Sequence, residues 1–252
     1  MRDLTLFTRQ PVAHRGLHDA ARGIVENSRS AVSAAVAGGF GVEIDVQLSA
    51  DGKVVVFHDT SLDRLTQGRG AVNAQPAATL HGMTLLDTPD HILKLRDVLD
   101  IVAGRSPLLI EMKSAFDGDM RLADACVALL ADYAGPFALM SFDPDLIAHV
   151  RHTAPSILRG IVAEGRYDER EWPDLSNRLR RSLPRLLHWP RTRFDFVAYR
   201  VRDLGDGTPR LMRRLGIPVF AWTVRTPEQR ARGATLADQI IFESFVPGHP
   251  PE

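Results

Sequence analysis

Three carboxylates in strand-like runs have the types and spacing of a metal site. Glu43 and Asp45 are two residues apart, so in a β-strand both side chains face the same side. Glu111 ends another apolar run. Carboxylate oxygens suit Mg²⁺ or Ca²⁺, and the sequence has no Cys/His cluster for structural zinc. The set therefore predicts one divalent cation, Mg²⁺ or Ca²⁺; the alternative is a salt network with Arg15 and Lys113.

Two histidines at strand ends have the chemistry to move protons. His14 and His58 each stand beside a charged residue, Arg15 and Asp59 respectively. An imidazole titrates near neutrality, so one histidine can donate a proton while the other accepts one. Arg15 offers a planar donor fork that matches phosphate oxygens, and Lys113 adds a point charge. Together these residues predict a phosphate ester as substrate. No role is assigned to His91, His152, His188 and His249, which lack such a setting at a strand end.

A hairpin is expected to bring one histidine to the carboxylates. The β-like run Lys53–His58 follows the run Gly41–Leu48 after too few residues for a parallel crossover. Asp51-Gly52 between them is a hairpin-turn signal, so the two runs should pair antiparallel. A tight turn about this dipeptide, counted outward, predicts that Asp45 lies opposite His58.

The elements that must position these residues alternate between β-like and helical runs, which predicts an α/β fold with a parallel sheet. Eight β-like runs remain when the hairpin strand is set aside. That number favours a (β/α)8 TIM barrel over an open doubly wound sheet, and 252 residues suit one barrel. Barrel enzymes place their chemistry at the carboxyl ends of strands. The predicted strands are Pro11–His14, Gly41–Leu48, Leu108–Met112, Phe137–Ser141, Ile157–Val162, Asp195–Tyr199, Pro218–Thr223 and Gln239–Phe242. The predicted helices include Asn27–Val36, Asp119–Asp132, Pro144–His152 and Thr208–Leu215.

Two stretches depart from this alternation. Asp59–Leu95 is too long for an ordinary connection, so we expect a small insertion (about 59–95) over one barrel mouth, in a chain (1–252) that is otherwise a single domain. The arginine-rich stretch Arg178–Arg193 has leucines at near-helical spacing. It predicts an outer helix with a solvated basic face, and a lipid-surface role is the alternative.

Composition bears on several classes of function. The chain has 31 basic and 31 acidic residues, which argues against a general nucleic-acid binder. Its apolar content of 44% supports a sizeable core. No run approaches the roughly 20 apolar residues of a membrane span, and Met1–Gln10 lacks a signal-peptide pattern, so we expect a cytoplasmic protein without stable membrane insertion. The single cysteine, Cys126, is expected to be a core residue.

The motifs, taken in order, resemble those of the glycerophosphodiester phosphodiesterase family. Each motif is weak alone, but the ordered set is specific and spans nearly the whole chain. The landmarks are His14-Arg15-Gly16, Glu26-Asn27, Glu43-Ile44-Asp45-Val46, Asp51-Gly52, His58-Asp59, Leu62-Asp63-Arg64-Leu65-Thr66 with Gly68 and Gly70, Glu111-Met112-Lys113, Ser141-Phe142 and Trp222-Thr223-Val224.

The resemblance implies a (β/α)8 barrel that hydrolyses glycerophosphodiesters to glycerol 3-phosphate and an alcohol such as choline or ethanolamine. It implies a divalent metal on Glu43, Asp45 and Glu111. It also implies that His14 and His58 are the general acid and base, in either order, with water or a neighbouring glycerol hydroxyl as nucleophile. The implied substrate and phosphate contacts are Arg15, Glu26, Asn27, Lys113 and Trp222.

Departures from the family pattern leave the metal and histidine residues unchanged. Val25 replaces a usual Pro, Arg225 stands where Asn often follows Trp-Thr-Val, and Phe242-Glu243 replaces a usual Thr-Asp. One alternative is an enzyme of the same fold that acts on lysophospholipids or sugar phosphodiesters. Another is a non-catalytic module that binds a phosphoryl ligand, although the intact histidines and carboxylates favour an enzyme. An open-sheet nucleotide-binding protein would need a Gly-x-Gly-x-x-Gly turn or a P-loop, which the sequence lacks.

Overall fold

The computed structural model describes residues 2–173 and 175–248, so His249 lies outside the described residues. The strands are β1 (Val12–Ala13), β2 (Gly41–Leu48), β3 (Val54–Val56), β4 (Leu93–Lys94), β5 (Leu108–Met112), β6 (Phe137–Ser141), β7 (Leu158–Ala163), β8 (Phe196–Arg200), β9 (Val219–Val224) and β10 (Gln239–Phe242). The α-helices are α1 (Thr5–Thr8), α2 (Arg29–Ala37), α3 (Ala77–His81), α4 (Leu95–Val102), α5 (Arg121–Leu130), α6 (Pro144–Thr153), α7 (Asn177–Ser182), α8 (Trp189–Thr192), α9 (Gly207–Arg214) and α10 (Pro227–Leu236).

Eight strands of the described chain alternate with helices, which confirms the predicted (β/α)8 barrel class. Four of them, β2, β5, β6 and β10, have the predicted bounds, and the other four differ from the prediction by one residue at each end. The chain divides into two compact units. Unit A comprises Val12–Lys113 and Met120–Phe137; unit B comprises the described residues of Met1–Pro11, Ser114–Asp119 and Ala138–Glu252. The single domain with an insertion stays a prediction.

Strand alternation explains the burial pattern in unit A. β1 pairs with β2 and β2 pairs with β5, both in parallel. Val42, Ile44 and Val46 on β2 are fully buried, and the two acids lie between them on the other face. Helix α2 begins after Ser28, whose Oγ accepts a hydrogen bond from the Ala31 N–H at 3.1 Å. In unit B, each strand from β6 to β9 pairs in parallel with the strand that follows it, and β10 ends this series.

The hairpin forms as predicted, but the predicted register is wrong by one residue. Val46 pairs with Val56, so Asp45 lies opposite Phe57 and not His58. The turn contains three residues instead of two, because the Gly52 N–H donates to the Ser49 carbonyl at 3.0 Å and Gly52 adopts φ 71°. A left-handed glycine after a turn is the usual three-residue hairpin, and it shifts the pairing by one position.

The stretch predicted as an insertion, Asp59–Leu95, contributes most of the residues of one apolar cluster. It contains α3 and ends in β4, which pairs antiparallel with β3. Val25, one of the departures from the family pattern, is buried in this cluster. The cluster comprises Val25, Val55, Phe57, Leu62, Leu65, Val72, Ala77, Leu80, Leu85 and Ile92.

The predicted single helix over Arg178–Arg193 is wrong. The stretch holds two short helices, α7 and α8, with a 3-10 turn at Leu183–Arg185 between them. Pro184 and Pro190 lack the N–H that a continuous helix requires, which explains the interruption. Among the described residues, no helix combines the length and the apolar character needed to cross a membrane.

Two other sequence features are accounted for by their surroundings. Cys126 on α5 is fully buried, as expected, and burial raises the pKa of its thiol. Arg225 and Glu243, both departures from the family pattern, form an ion pair with each other in unit B. The two departures are therefore linked: replacing either Arg225 or Glu243 by the usual family residue would break their ion pair.

Candidate active site

Unit A brings the three predicted metal ligands together. A carboxylate oxygen from each of Glu43, Asp45 and Glu111 lies within 4.8 Å of the other two, and all three side chains are buried. The parallel pairing of β2 with β5 places Asp45 directly beside Glu111. Glu43 precedes Asp45 by two residues and so shares its face of the sheet.

Two cationic side chains partly neutralise this cluster. Lys113 Nζ lies 2.7 Å from Asp45 Oδ1 and 2.6 Å from Glu111 Oε1. Arg15 Nε lies 3.2 Å from Asp45 Oδ2, in an ion pair whose geometry falls short of a hydrogen bond. The Arg15 backbone N–H donates to Glu43 Oε2 at 2.9 Å. The salt network considered above therefore exists, but three carboxylates facing two cations leave one negative charge unbalanced.

The unbalanced charge is reflected in Glu43. Burial, reinforced by the charges of Asp45 and Glu111, raises the pKa of Glu43 well above its usual value. Burial also acts to raise the pKa of Asp45, but Lys113 and Arg15 outweigh it and hold that pKa far below normal. Glu43 Oε1 is buried and has no hydrogen-bond partner among the described residues. A buried, all-oxygen donor set with an unsatisfied carboxylate oxygen fits a hard divalent cation.

Both predicted histidines lie next to the carboxylate cluster. His14 follows β1, and its Nε2 lies 3.9 Å from Glu43 Oε2. His58 lies just beyond β3 and directly follows Phe57, whose backbone N–H donates to the Asp45 carbonyl at 3.0 Å. Asp59 Oδ1 lies 2.7 Å from His58 Nδ1. A carboxylate at Nδ1 favours the tautomer protonated there, which leaves Nε2 to exchange a proton with a substrate.

The backbone beside His58 is held by a side chain that sequence analysis missed. Gln47 on β2 donates its amide N–H groups to the carbonyl oxygens of Phe57 and Asp59, each at 2.8 Å. His58 lies between those two residues, beyond the end of β3. The Gln47 side chain therefore fixes the backbone on both sides of His58, where β3 has already ended. Alternation on β2 puts Gln47 on the same face as Asp45, which is a signal the sequence did contain.

A left-handed turn after β1 directs His14 and Arg15. Arg15 has φ 57° and Gly16 φ 77°. A Cβ on Gly16 would lie 2.7 Å from the Ala31 backbone carbon, so only glycine fits against α2. This close approach explains the glycine in the His14-Arg15-Gly16 motif.

Glu26 and Asn27 make different contacts. The Asn27 amide donates to Asp45 Oδ2 at 2.9 Å, and Asn27 Oδ1 accepts from the Asp45 backbone N–H at 3.2 Å. Asn27 thus orients a predicted metal ligand, and its predicted contact with substrate stays a prediction. Glu26 Oε1 accepts from Arg15 Nη1 at 2.7 Å. Burial acts to raise the pKa of Glu26, but Arg64 and Arg15 lower it from 4.5 to about 2.

The low pKa of Glu26 predicts acid-sensitive stability. A carboxylate with a depressed pKa stabilises the folded state above its unfolded pKa, and this contribution is lost as the pH falls from 4.5 to about 2. The shift corresponds to roughly 3 kcal/mol. We expect Glu26→Gln to lower the free energy of unfolding at neutral pH and to flatten its decline in acid, measured by urea unfolding. Glu169→Gln, at a side chain 82% exposed, is the control, and an unchanged acid decline in Glu26→Gln would contradict the prediction.

Trp222 lies on β9 in unit B, within an aromatic group. Its indole Nε1 donates to the Ala198 carbonyl at 2.9 Å, and its ring meets that of Phe142 edge-on with centroids 5.5 Å apart. The Phe142 and Trp172 centroids are 4.8 Å apart. Trp172 Nε1 also donates to buried Glu164 Oε1 at 2.5 Å. Glu164 directly follows β7, so the criterion of a charged residue at a strand end would have singled it out.

Known proteins share this sequence pattern and fold. A family model described as the glycerophosphoryl diester phosphodiesterase family matches residues 14–243. A glycerophosphodiester phosphodiesterase of Caldanaerobacter subterraneus subsp. tengcongensis is 28% identical over 164 residues, which span 60% of this chain and 65% of that relative's length.

Among solved structures, an Oleispira antarctica phosphodiesterase in complex with the product sn-glycerol-3-phosphate superposes with a TM-score of 0.76. It is 22% identical, and the match covers 94% of this chain and 93% of that one. A glycerophosphodiester phosphodiesterase from Thermotoga maritima gives a TM-score of 0.69 at 25% identity, covering 92% of this chain and 94% of that one. The described chain therefore has the fold of these enzymes.

Proposed function

Because the chain belongs to the glycerophosphoryl diester phosphodiesterase family, we propose that it hydrolyses glycerophosphodiesters to glycerol 3-phosphate and an alcohol. The observation that carries the proposal is the meeting of three buried carboxylates, two cationic side chains and two histidines within unit A. The sn-glycerol-3-phosphate bound by the Oleispira antarctica enzyme supports the same product here.

In this proposal Glu43, Asp45 and Glu111 would hold one divalent cation, Mg²⁺ or Ca²⁺, which when bound polarises the phosphoryl oxygens. Arg15 and Lys113 stabilise the negative charge that develops on the phosphoryl group. The side chains of Arg15 and Lys113 are both already held against Asp45, so they need little reorganisation when substrate binds.

The two histidines divide the proton transfers. One takes a proton from the nucleophile, and the other gives a proton to the leaving alkoxide. His58 is oriented by Asp59, while His14 lies against Glu43. The nucleophile is water or the neighbouring glycerol hydroxyl; a cyclic phosphate detected by ³¹P NMR during turnover would identify the hydroxyl.

Turnover by metal-stripped protein tests the proposal. Glycerophosphocholine and glycerophosphoethanolamine are supplied without metal, with Mg²⁺ or with Ca²⁺, and released glycerol 3-phosphate is measured. We expect release only when a divalent cation is present, and the more effective ion identifies the working metal. Absence of release under every condition would contradict the proposed substrate, and binding of phosphoryl ligands without any turnover would favour a non-catalytic module.

An apolar surface in unit B favours one second candidate, a lysophospholipid substrate. Phe142 and Trp172 are only partly buried, and Phe116 meets Trp172 edge-on with centroids 6.1 Å apart. An acyl chain requires such a surface, whereas glycerophosphocholine does not. Faster release of choline from lysophosphatidylcholine than from glycerophosphocholine would favour this candidate, and the reverse order would favour the glycerophosphodiester.

A further inference from the structure

Arg64 contacts two carboxylates of the proposed active site at once. Its Nε lies 2.6 Å from Asp59 Oδ2, and its Nη2 lies 2.9 Å from Asp59 Oδ1. The same Nη2 lies 2.8 Å from Glu26 Oε1, while Nη1 lies 3.0 Å from Glu26 Oε2. Two-point contacts from one planar guanidinium fix both carboxylates relative to each other, which a single-point ammonium would not do.

Each carboxylate holds a different functional side chain. Asp59 Oδ1 lies 2.7 Å from His58 Nδ1, and Glu26 Oε1 lies 2.7 Å from Arg15 Nη1. Arg64 therefore connects the proposed proton-transfer group to the proposed phosphate contact through one intervening carboxylate on each side. Among the described residues, its ion pairs are with Glu26 and Asp59.

The charges in this network reinforce one another. Burial acts to raise the pKa of Asp59, but hydrogen bonds from Arg64 and His58 lower it from 3.8 to about 2. The pKa of Glu26 falls to about 2 for the same kind of reason. Both groups are thus carboxylates at neutral pH, so the two-point contacts with the guanidinium persist under assay conditions.

The segment Asp59–Leu95 contains Arg64 and fixes the position of its backbone. Leu62 and Leu65, on either side of Arg64 along the chain, are 0% and 6% exposed and belong to the apolar cluster of this segment. The Arg64 side chain itself is 47% exposed. Its backbone is therefore held by packing while the guanidinium stays accessible to small solutes.

We propose that Arg64 is a positioning residue that holds His58 and Arg15 in the mutual arrangement needed for phosphodiester cleavage. The proposal rests on the proposed phosphodiesterase function. It also assigns a role in the active site to the segment Asp59–Leu95, which contains Arg64.

The test compares Arg64→Ala and Arg64→Lys with Arg69→Ala. Arg69 belongs to the same segment, Asp59–Leu95, but its side chain is 72% exposed. It forms an ion pair with Asp63 at 3.7 Å and donates to the Gly68 carbonyl at 3.3 Å, so it contacts neither Glu26 nor Asp59 in the described chain. We expect kcat for glycerophosphocholine with saturating metal to fall about 10- to 100-fold in Arg64→Ala, the usual effect of removing an outer-shell contact. Arg64→Lys should retain an intermediate kcat, and Arg69→Ala should match wild type.

Rescue separates positioning from a purely structural role. Guanidinium ion at low millimolar, non-denaturing concentration should restore part of the kcat lost in Arg64→Ala. It should leave the kcat of His58→Ala unchanged. The ¹⁵N spectrum of the His58 ring gives a readout that needs no turnover, because loss of Arg64 should reduce the Nδ1-protonated population. Wild-type kcat in Arg64→Ala, or a loss without rescue and with an unchanged His58 spectrum, would overturn the assignment.

The same experiment distinguishes failure of the proposed function. Wild-type protein that is inactive on every phosphodiester would contradict the proposed function, whatever the His58 spectrum shows. Active wild-type protein with equally active Arg64 variants would contradict only the role of Arg64. If Arg64→Ala does not fold, Arg64→Lys is used instead, since it retains the charge and loses the two-point contacts. A wild-type kcat in Arg64→Lys would then contradict the positioning role.

Discussion

Alanine in place of His14 or His58 should lower turnover of glycerophosphocholine by about 10²- to 10⁴-fold, the usual contribution of a general acid or base. Each substitution removes proton transfer at one end of the reaction, either at the nucleophile or at the leaving alkoxide. The rate is measured with saturating metal, and circular dichroism checks that each variant keeps the wild-type fold. His152→Ala is the control, since that histidine is exposed on α6.

The two variants also reveal which histidine is the acid. A glycerophosphodiester with p-nitrophenol as its alcohol needs no proton on the leaving oxygen, so the variant without the general acid should recover most of its rate. The variant without the general base should stay slow with both substrates. Near-wild-type turnover in both His14→Ala and His58→Ala would show that the acid/base assignment is wrong.

The substitution Glu43→Gln should weaken divalent-metal binding at least about 100-fold, more than is typical when an outer-shell partner is removed. Without metal the same variant should unfold at the same temperature as wild type or at a higher one. The pKa of Glu43 is raised, so its ionised form destabilises the folded state above the unfolded pKa, and glutamine removes that cost.

Thermal unfolding with and without Mg²⁺ or Ca²⁺ measures both effects. Metal at 100 times its Kd should stabilise the wild type by about 2.7 kcal/mol and the variant by much less. Glu228→Gln, an exposed position on α10, should respond to metal like wild type. Equal stabilisation of Glu43→Gln and wild type would rule out Glu43 as a metal ligand.

Local patterns predicted much of this fold because they depend on short-range geometry. Alternation of side chains in a strand put Glu43 and Asp45 on one face, and the bounds Gly41–Leu48 and Leu108–Met112 were predicted as observed. Parallel pairing of those strands then brings Glu111 beside Asp45. The composition of the carboxylate cluster therefore followed from side-chain alternation and strand pairing alone.

Predictions failed, or gave no signal, where the local sequence pattern fitted more than one backbone conformation. Asp51-Gly52 indicated the hairpin, but its pattern fits two-residue and three-residue turns alike, so the register slipped by one position. In the arginine-rich stretch, leucine spacing suggested one helix, while Pro184 and Pro190 divide it. The weak periodicity of Asp59–Leu95 also gave no signal for α3 and β4, which contain only five and two residues.

The sequence by itself determined the fold class, the strands that carry the acids and the residue types available for phosphodiester chemistry. Only the tertiary structure decided which charges meet: Lys113 between Asp45 and Glu111, and Arg64 between Asp59 and Glu26. Arg64 and Glu26 are 38 residues apart, and their contact depends on how the apolar cluster around Leu62 and Leu65 packs. Long-range ion pairs have no period in the sequence, because the packing of distant elements sets their distances.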